Sequence, residues 1–265
     1  RTNVRTDDEI GQLSESFDSM AAAVQDKVAA LELSVQQRED FMGAFTHELK
    51  TPMTGILGYA DLLRSMQPDP AEQREAAGAI YHEAHRLESL SGKLLQLLHL
   101  DEEELALGPV ALDRAVTMAV KAARPALEQN GHARVETLST GLWVQGDTDL
   151  LCDLVLNLIT NAAKAGPGGT ITVSAEQAGR TVLLRVRDHG CGIPADQLAR
   201  VTEPFYMVDK SRARKQGGSG LGLALCSRIA QAHGGTLTID SAPGKGTAVT
   251  VTLQAVSKPE EGGAS

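Results

Sequence analysis

Four short clusters of residues carry side chains able to do chemistry, and they follow one another in a fixed order. The first is His47-Glu48-Leu49-Lys50-Thr51-Pro52, an imidazole directly before a carboxylate. Imidazole has an ordinary pKa near ~6.5, so at neutral pH it is mostly an unprotonated nucleophile. Glu48 can accept the Nδ1 proton, fix the tautomer and leave Nε2 free to attack. Pro52 cannot donate to the carbonyl of Glu48, so a helix through this cluster loosens beside His47. A surface histidine without such neighbours is ordinarily structural or idle, and His82, His85, His99 and His189 read that way.

The second cluster, Asn157-Leu158-Ile159-Thr160-Asn161-Ala162-Ala163-Lys164, reads as a helix. Asp153, Asn157 and Asn161 recur every four residues and Lys164 follows three later, so all four share one face. Leu151, Leu154, Val155, Leu158 and Ala162 fall on the other face, toward a core. Neutral amide oxygens ending in an ammonium suit Mg²⁺ and nucleotide phosphates, because Mg²⁺ takes hard oxygen ligands and shares its shell with water and phosphate. The bland alternative is a solvated polar face, but asparagine is a mediocre helix former and two at this spacing with a lysine beyond weigh against it.

In the third cluster, Asp188-His189-Gly190-Cys191-Gly192-Ile193-Pro194, a carboxylate ends an alternating strand. Gly190 and Gly192 permit a tight loop and close backbone approach to a ligand. Asp188 can accept a hydrogen bond from an exocyclic amino group, the feature that separates adenine from guanine. The stretch from Gly190 to Ala195 also fits a dinucleotide-binding pattern. That reading is rejected, because Pro194 sits inside the would-be helix start and no second strand ending in an acid follows at the required distance.

The fourth cluster runs Gly217-Gly218-Ser219-Gly220-Leu221-Gly222 into a helix. Its glycines free backbone N–H groups to face an anion at a helix N-terminus. Lys210, Arg212, Arg214 and Lys215 stand just before it and suit a mobile lid over polyphosphate. For any single one of these cations a solvated basic loop is an equally good reading.

These clusters need positioning elements. Ile10, Leu13, Phe17, Met20, Val24, Val28, Leu31 and Val35 form a 3-4 seam with one extra four-residue step between Val24 and Val28, which predicts a coiled coil with a stutter. A lone amphipathic helix is the weaker reading, since it has no nearby segment to bury the stripe. The helix is expected to continue through Phe41, Phe45 and Leu49 to about Arg64, until Gln67-Pro68-Asp69-Pro70 breaks it. A second helix puts Ile80, Leu87, Leu90, Leu94, Leu97 and Leu98 on one face and ends in Asp101-Glu102-Glu103-Glu104. The two make a helical hairpin whose stripes exceed what one partner can cover, so two copies forming a four-helix bundle are expected.

Gly108-Pro109 marks a domain boundary. Beyond it the pattern predicts helix 112–129, strands 133–138 and 142–145, helix 149–165, strands 170–175 and 181–188, a long loop, helix 220–233, and strands 236–241 and 246–253. Strands in tandem argue for an α/β sandwich with a mixed sheet and helices on one face. The polar segment 257–265 reads as a disordered tail.

Bulk properties narrow the class. The 265 residues suffice for two domains with real cores. A net charge of −9 argues against a nucleic-acid partner, and so do the four Phe, three Tyr and one Trp, too few for a base-stacking surface. Three cysteines, Cys152, Cys191 and Cys226, form no CxxC pair, which suits a reduced setting without a disulfide framework. No apolar run approaches the ~18–20 residues of a membrane span. A signal peptide is missing as well, and the chain opens on Arg1 close to an amphipathic helix, so it is read as a fragment of something longer.

The order and types of the four clusters closely resemble the transmitter region of sensor histidine kinases, the ATP-dependent protein kinases of two-component signalling. The last three clusters resemble the ATP-binding fold shared by histidine kinases, DNA gyrase, Hsp90 chaperones and MutL proteins, over about residues 108–255. The histidine cluster decides among these, matching the phosphoacceptor box at every position. Asp8-Glu9-Ile10-Gly11-Gln12-Leu13, with Phe17 and Met20, resembles the last helix of a HAMP domain. The resemblance implies a division into 1–24 (end of HAMP), 25–40 (coiled-coil linker), 41–107 (dimerisation and phosphotransfer), 108–256 (ATP-binding) and 257–265 (tail).

It also implies roles. His47 is the phosphoacceptor, Glu48 the general base, and Thr51 a hydroxyl that orients water for dephosphorylating a regulator. Asn161 ligates Mg²⁺, Asn157 and Lys164 sit at the phosphates, and Asp188 reads adenine. Gly190, Gly192, Gly218, Gly220, Leu221 and Gly222 shape the nucleotide loops, Tyr206 belongs to an aromatic box with Glu203, Pro204 and Phe205, and Lys210 and Arg212 line the lid. ATP and Mg²⁺ are the implied cofactors. The implied partners are a second copy and the receiver domain of a response regulator. The chain would be the cytoplasmic portion of an inner- or plasma-membrane protein, touching the membrane only through preceding segments. Three positions depart from the pattern: Ala165 stands where Tyr is common, Met207 where Arg is frequent, and Asp153 where Gln is frequent. Lys210, Arg212 or Arg214 could compensate for the first two. Two rivals are a non-catalytic dimeric scaffold and an ATPase switch that turns over without His47.

Overall fold

The computed structural model describes residues 9–65, 69–102, 105–129, 131, 134–138, 141–166, 168–209 and 218–259. Asp8, Gln67 and Pro68 of the breaker, Glu103, Glu104, the lid residues Lys210, Arg212, Arg214 and Lys215, Gly217 and the tail from 260 lie outside the described residues. Compactness divides the chain into two units, Arg1–Thr54 and Gly55–Ser265.

The first unit is built on helix α1 (Glu9–Ser65), which runs unbroken through the stutter and through Pro52. The seam residues Leu13, Phe17, Met20, Val24, Val28, Leu31 and Val35 are each at least 49% exposed in the single chain. Three threonine hydroxyls around Pro52 donate back to carbonyls four residues earlier: Thr46 to Met42 (2.8 Å), Thr51 to His47 (3.2 Å) and Thr54 to Lys50 (2.8 Å). Such back-bonding competes with the backbone ladder and accompanies bent or loosened turns.

The second unit opens with the end of α1 and continues into α2 (Pro70–Glu102). Asp69 caps α2, its Oδ1 accepting from the backbone of Ala71 (2.7 Å) and Glu72 (2.9 Å), while Glu72 Oε2 accepts from the Asp69 N–H (3.0 Å). With Pro70 at the first helical position this is a complete capping box. Leu90 and Leu97 are buried, but Leu98, expected on the same face, is 46% exposed. Adjacent helical residues point about 100° apart, so the stripe takes Leu97 and leaves Leu98 out.

After α2 come β1 (Gly108–Ala111), α3 (Leu112–Gln129), β2 (Val135–Leu138), β3 (Trp143–Gly146), α4 (Thr148–Ala165), β4 (Ile171–Ala178) and β5 (Thr181–Arg187). A 3₁₀ turn (Ala195–Gln197), α5 (Gly222–Ala232), β6 (Thr236–Ser241) and β7 (Thr247–Gln254) complete the unit. The main sheet has order β2-β4-β5-β7-β6, with β2 and β4 parallel and every other pair antiparallel. This is the mixed sheet expected. Ile171, Val173, Val182, Leu184, Val186, Val249, Val251 and Leu253 alternate onto one buried face. Helices α4 and α5 contact the sheet, and α3 packs against α4.

Most predicted bounds shift by a residue or two, whereas α3 and β6 begin and end where periodicity put them. One strand was missed. Gly108-Pro109, read only as a boundary, begins β1, which pairs antiparallel with β3. A proline is tolerated in such an edge strand because it need not donate to a neighbour.

Candidate active site

Helix α4 is fixed at its start by Asp147, whose Oδ1 accepts from the N–H groups of Asp149 and Leu150, both at 2.9 Å. His233 locks the same corner, with Nε2 3.0 Å from the Asp147 N–H and Nδ1 2.7 Å from the Ile229 carbonyl. Only a neutral ring with its proton on Nδ1 satisfies both contacts. Leu151, Leu154, Val155 and Leu158 are buried beneath α4, so its polar face is held outward from a rigid base.

On that face Asn157 is buried and its Nδ2 donates to the Asp153 carbonyl at 2.8 Å. A Cβ placed on Gly222 would lie 3.6 Å from Asn157 Oδ1 and 3.3 Å from Asn161 Oδ1. Two amide oxygens therefore converge beside the first turn of α5. These are neutral, hard donors. Among the described residues no group of three or more His, Cys, Asp or Glu could hold a metal ion.

Asp188 directly follows β5 and is buried. Its Oδ1 accepts from the N–H of Gly190 (2.7 Å) and of Thr247 (3.2 Å), which fixes the carboxylate plane. Gly190 packs on Ala165: an added Cβ would come within 2.6 Å of the Ala165 Cβ. Gly192 has φ 69°, and a Cβ there would collide with the carbonyl oxygen of Ala242. Ser241 Oγ accepts from the Ile193 N–H at 2.9 Å and donates to the Gly246 carbonyl at 2.9 Å, tying the loop to the sheet edge.

The glycine turn is held by Phe205, whose N–H donates to the Gly220 carbonyl at 3.0 Å. Phe205 has φ 64°, the only non-glycine positive φ among the described residues. Tyr206 lies under the Arg200 guanidinium, 4.4 Å from ring centroid to Cζ. Leu221 precedes α5 with a fully buried side chain, so only its backbone faces the turn.

Asn161, Lys164, Asp188, Gly192, Tyr206, Gly218, Gly220 and Gly222 line one cavity of about 970 Å³. Asn157, Gly190 and Leu221 stand behind this lining, and Lys210 and Arg212 lie outside the described residues. Leu158, Val186, Ile193 and Val249 give it an apolar side near Asp188. Burial pushes the Lys164 ammonium below its ordinary pKa, and the nearby charge of Lys93 adds to the effect. Sequence reasoning missed the contribution of α2, which brings His82, Arg86, Leu90 and Lys93 to the cavity wall. It also missed the Thr247 N–H, a backbone donor that no side chain advertises.

On α1, the His47 side chain is 63% exposed and the Glu48 side chain 7% exposed. Nδ1 of His47 lies 3.6 Å from Glu48 Oε1, an ion-pair distance rather than a formed hydrogen bond. Pro52 is buried. Thr51 presents its hydroxyl to the His47 carbonyl on the same helix face.

A one-sided mixed sheet, an asparagine helix, a strand-end aspartate and a glycine turn define a nucleotide-binding domain. Residues 146–257 match the family described as histidine kinase-, DNA gyrase B-, and HSP90-like ATPase. Residues 37–103 match the His Kinase A (phospho-acceptor) domain. The chain belongs to the sensor histidine kinases of two-component systems. It is 35% identical over 226 residues to the sensor-like histidine kinase SenX3 of Mycolicibacterium smegmatis, covering 84% of this chain and 59% of that protein. The chain thus spans little more than half the length of this curated relative. Among solved structures it is similar to a mycobacterial sensor histidine kinase, MprB, at 30% identity and TM-score 0.51, over 58% of this chain and all of that one. Histidine kinase ThkA, solved in complex with the response regulator protein TrrA, shares the fold at TM-score 0.65 and 18% identity, over 87% of this chain and 67% of that one.

Proposed function

We propose that this chain transfers the γ-phosphoryl group of ATP to Nε2 of His47. The observation that carries the reading is the single cavity in which Asn161, Lys164, Asp188 and the glycine turn of α5 converge. Asp188 accepts from the adenine amino group, with Val186, Ile193 and Val249 against the base. Lys164 and the N–H groups at the start of α5 neutralise phosphate oxygens, since a helix N-terminus favours negative charge. The amide oxygen of Asn161, with Asn157 behind it, fits Mg²⁺, which prefers oxygen donors and completes its shell with water and phosphate. When bound there, Mg²⁺ supplies charge neutralisation for the leaving diphosphate.

The chemistry balances simply. The Nε2 lone pair forms a bond to the γ-phosphorus while the bond from that phosphorus to the bridging oxygen breaks, and ADP leaves with the electron pair. Glu48 takes the Nδ1 proton, which keeps the ring nucleophilic and then neutral. The phosphoryl group then passes to an aspartate of a response regulator, a partner class seen with ThkA. Thr51 orients water for removing the phosphoryl group from that regulator.

The same reading assigns residues 1–24 to the end of a HAMP-like helix, 25–40 to a linker, 41–107 to dimerisation and phosphotransfer, and 108–256 to nucleotide binding. The exposed seam of α1 supports a homodimer, because an unpartnered apolar stripe of this length calls for a second helix. We place the chain on the cytoplasmic side of a membrane-anchored protein, where ATP is available; no described helix is long and apolar enough to cross a membrane. The test is incubation with Mg²⁺ and ATP radiolabelled at the γ-phosphate. Acid-labile, base-stable label on the protein is the expected result. Absence of label would leave a scaffold, and steady phosphate release without label would leave an ATPase switch.

A further inference from the structure

Helix α2 walls the nucleotide cavity, and among its lining residues is a lysine, Lys93, that shares the space with Lys164, Asn161 and the glycine turn. We infer that Lys93 is a phosphate ligand for the nucleotide, supplied by helix α2 rather than by the domain that holds the base. This inference rests on the nucleotide reading proposed above.

Three observations carry it. First, both Lys93 and Lys164 are driven below the ordinary lysine pKa by burial, and the charge of Lys93 pushes Lys164 further in the same direction. Two ammonium groups close enough to repel, in a partly dehydrated cavity, cost free energy in the empty protein. A polyanion between them removes that cost. Second, the helix that carries Lys93 is held in place. Gln96, one helical turn on, donates from Nε2 to Asp153 Oδ2 at 2.6 Å and so ties α2 to α4. Asp153 lies close enough to favour the charged form of Lys93, although burial outweighs it.

Third, the other α2 cation on this wall is engaged: Arg86 pairs with Glu83 at 3.8 Å. Ala165 and Met207, which also line the cavity, bring no charge to it. Lys93 therefore brings a positive charge to the same cavity as the start of α5, whose helix N–H groups favour an anion. A ligand so placed would couple nucleotide binding to the docking of α2 on the nucleotide domain.

Isothermal titration of the full chain with Mg·ATP, Mg·ADP and adenosine tests this directly. Lys93→Gln should weaken ATP by about tenfold, the scale of one charge-assisted contact, weaken ADP less, and leave adenosine unchanged. Lys93→Met, which keeps the apolar stem, should behave alike, and Lys93→Arg should retain ATP affinity. Unchanged or tighter ATP binding in Lys93→Gln, with wild type binding normally, would overturn the assignment. Loss of adenosine affinity in both neutral variants would overturn it too, by marking Lys93 as a packing residue. Failure of the wild type to bind ATP would instead sink the nucleotide reading, and this one with it.

Discussion

Gly222 lies against Asn161: a Cβ built on its backbone would stand 3.1 Å from Asn161 Nδ2 and 3.3 Å from Oδ1. The first turn of α5 and the amide face of α4 thus meet so closely that a methyl group would push the Asn161 amide aside by a few tenths of an ångström, and the site depends on that closeness. Alanine at position 222 favours a helix by up to about 1 kcal/mol over glycine. Gly222→Ala should therefore keep or slightly raise the melting temperature while weakening Mg·ATP binding roughly tenfold, because Asn161 must turn aside. Thermal melts and calorimetry on one preparation check both halves. Equal loss of stability and affinity would show that the glycine serves packing alone.

Asp188→Asn separates the two oxygens of one carboxylate. Oδ1 is already occupied by the N–H groups of Gly190 and Thr247. Asparagine can keep its amide oxygen there, which preserves the loop but presents an N–H₂ donor to the base. ATP affinity should fall by on the order of 1.5–3 kcal/mol, the value of a hydrogen bond to a charged group, and preference for ATP over GTP should vanish. Unaltered affinity in a competition titration would remove Asp188 from base recognition.

Thr51→Ala probes a hydroxyl that donates to the carbonyl of His47 itself. Its loss leaves Nε2 and the contact between Nδ1 and Glu48 in place. Autophosphorylation should stay within about twofold of wild type, since surface hydroxyl removal costs little, while dephosphorylation of the phosphorylated regulator should slow markedly. Both rates can be followed on the same gel, and a wild-type dephosphorylation rate would reduce Thr51 to a helix residue ahead of Pro52.

Cys191 and Cys226 should react in an order set by their surroundings. Cys226 is fully buried and its thiol is pushed up to about 12, chiefly by burial, so it carries almost no thiolate at neutral pH. Cys191 is exposed and lines the nucleotide cavity. Iodoacetamide should label Cys191 and spare Cys226 in the folded chain, and ATP should slow labelling of Cys191. Peptide mapping that finds Cys226 alkylated before Cys191 would contradict the packing of α5.

Much of this was legible in the sequence where periodicity and side-chain chemistry coincide. Helix α3 keeps a helical period cleanly enough that both ends could be read, and the alternation of β6 does the same for that strand. Asn157, Asn161 and Lys164 announce a shared face because four- and three-residue steps place them there. Strand β1 was hidden because Gly108-Pro109 carries a breaker signal that pairing with β3 overrides. The wall contributed by α2 was hidden for a different reason: Gln96 and Asp153 are 57 residues apart, and no local pattern encodes their 2.6 Å hydrogen bond. The Asp188 clamp depends on the backbone of Thr247, which any residue but proline could supply.

Locating the transferred phosphate tests the central claim most directly. The chain is incubated with Mg·ATP, digested under neutral conditions that preserve phosphoramidates, and the modified peptide is sequenced by tandem mass spectrometry. The phosphate should sit on His47, and His47→Gln should carry none while still binding ATP, because His47 belongs to one compact unit and the residues of the nucleotide cavity to the other. Phosphate on any other residue, or undiminished incorporation in His47→Gln, would contradict the account.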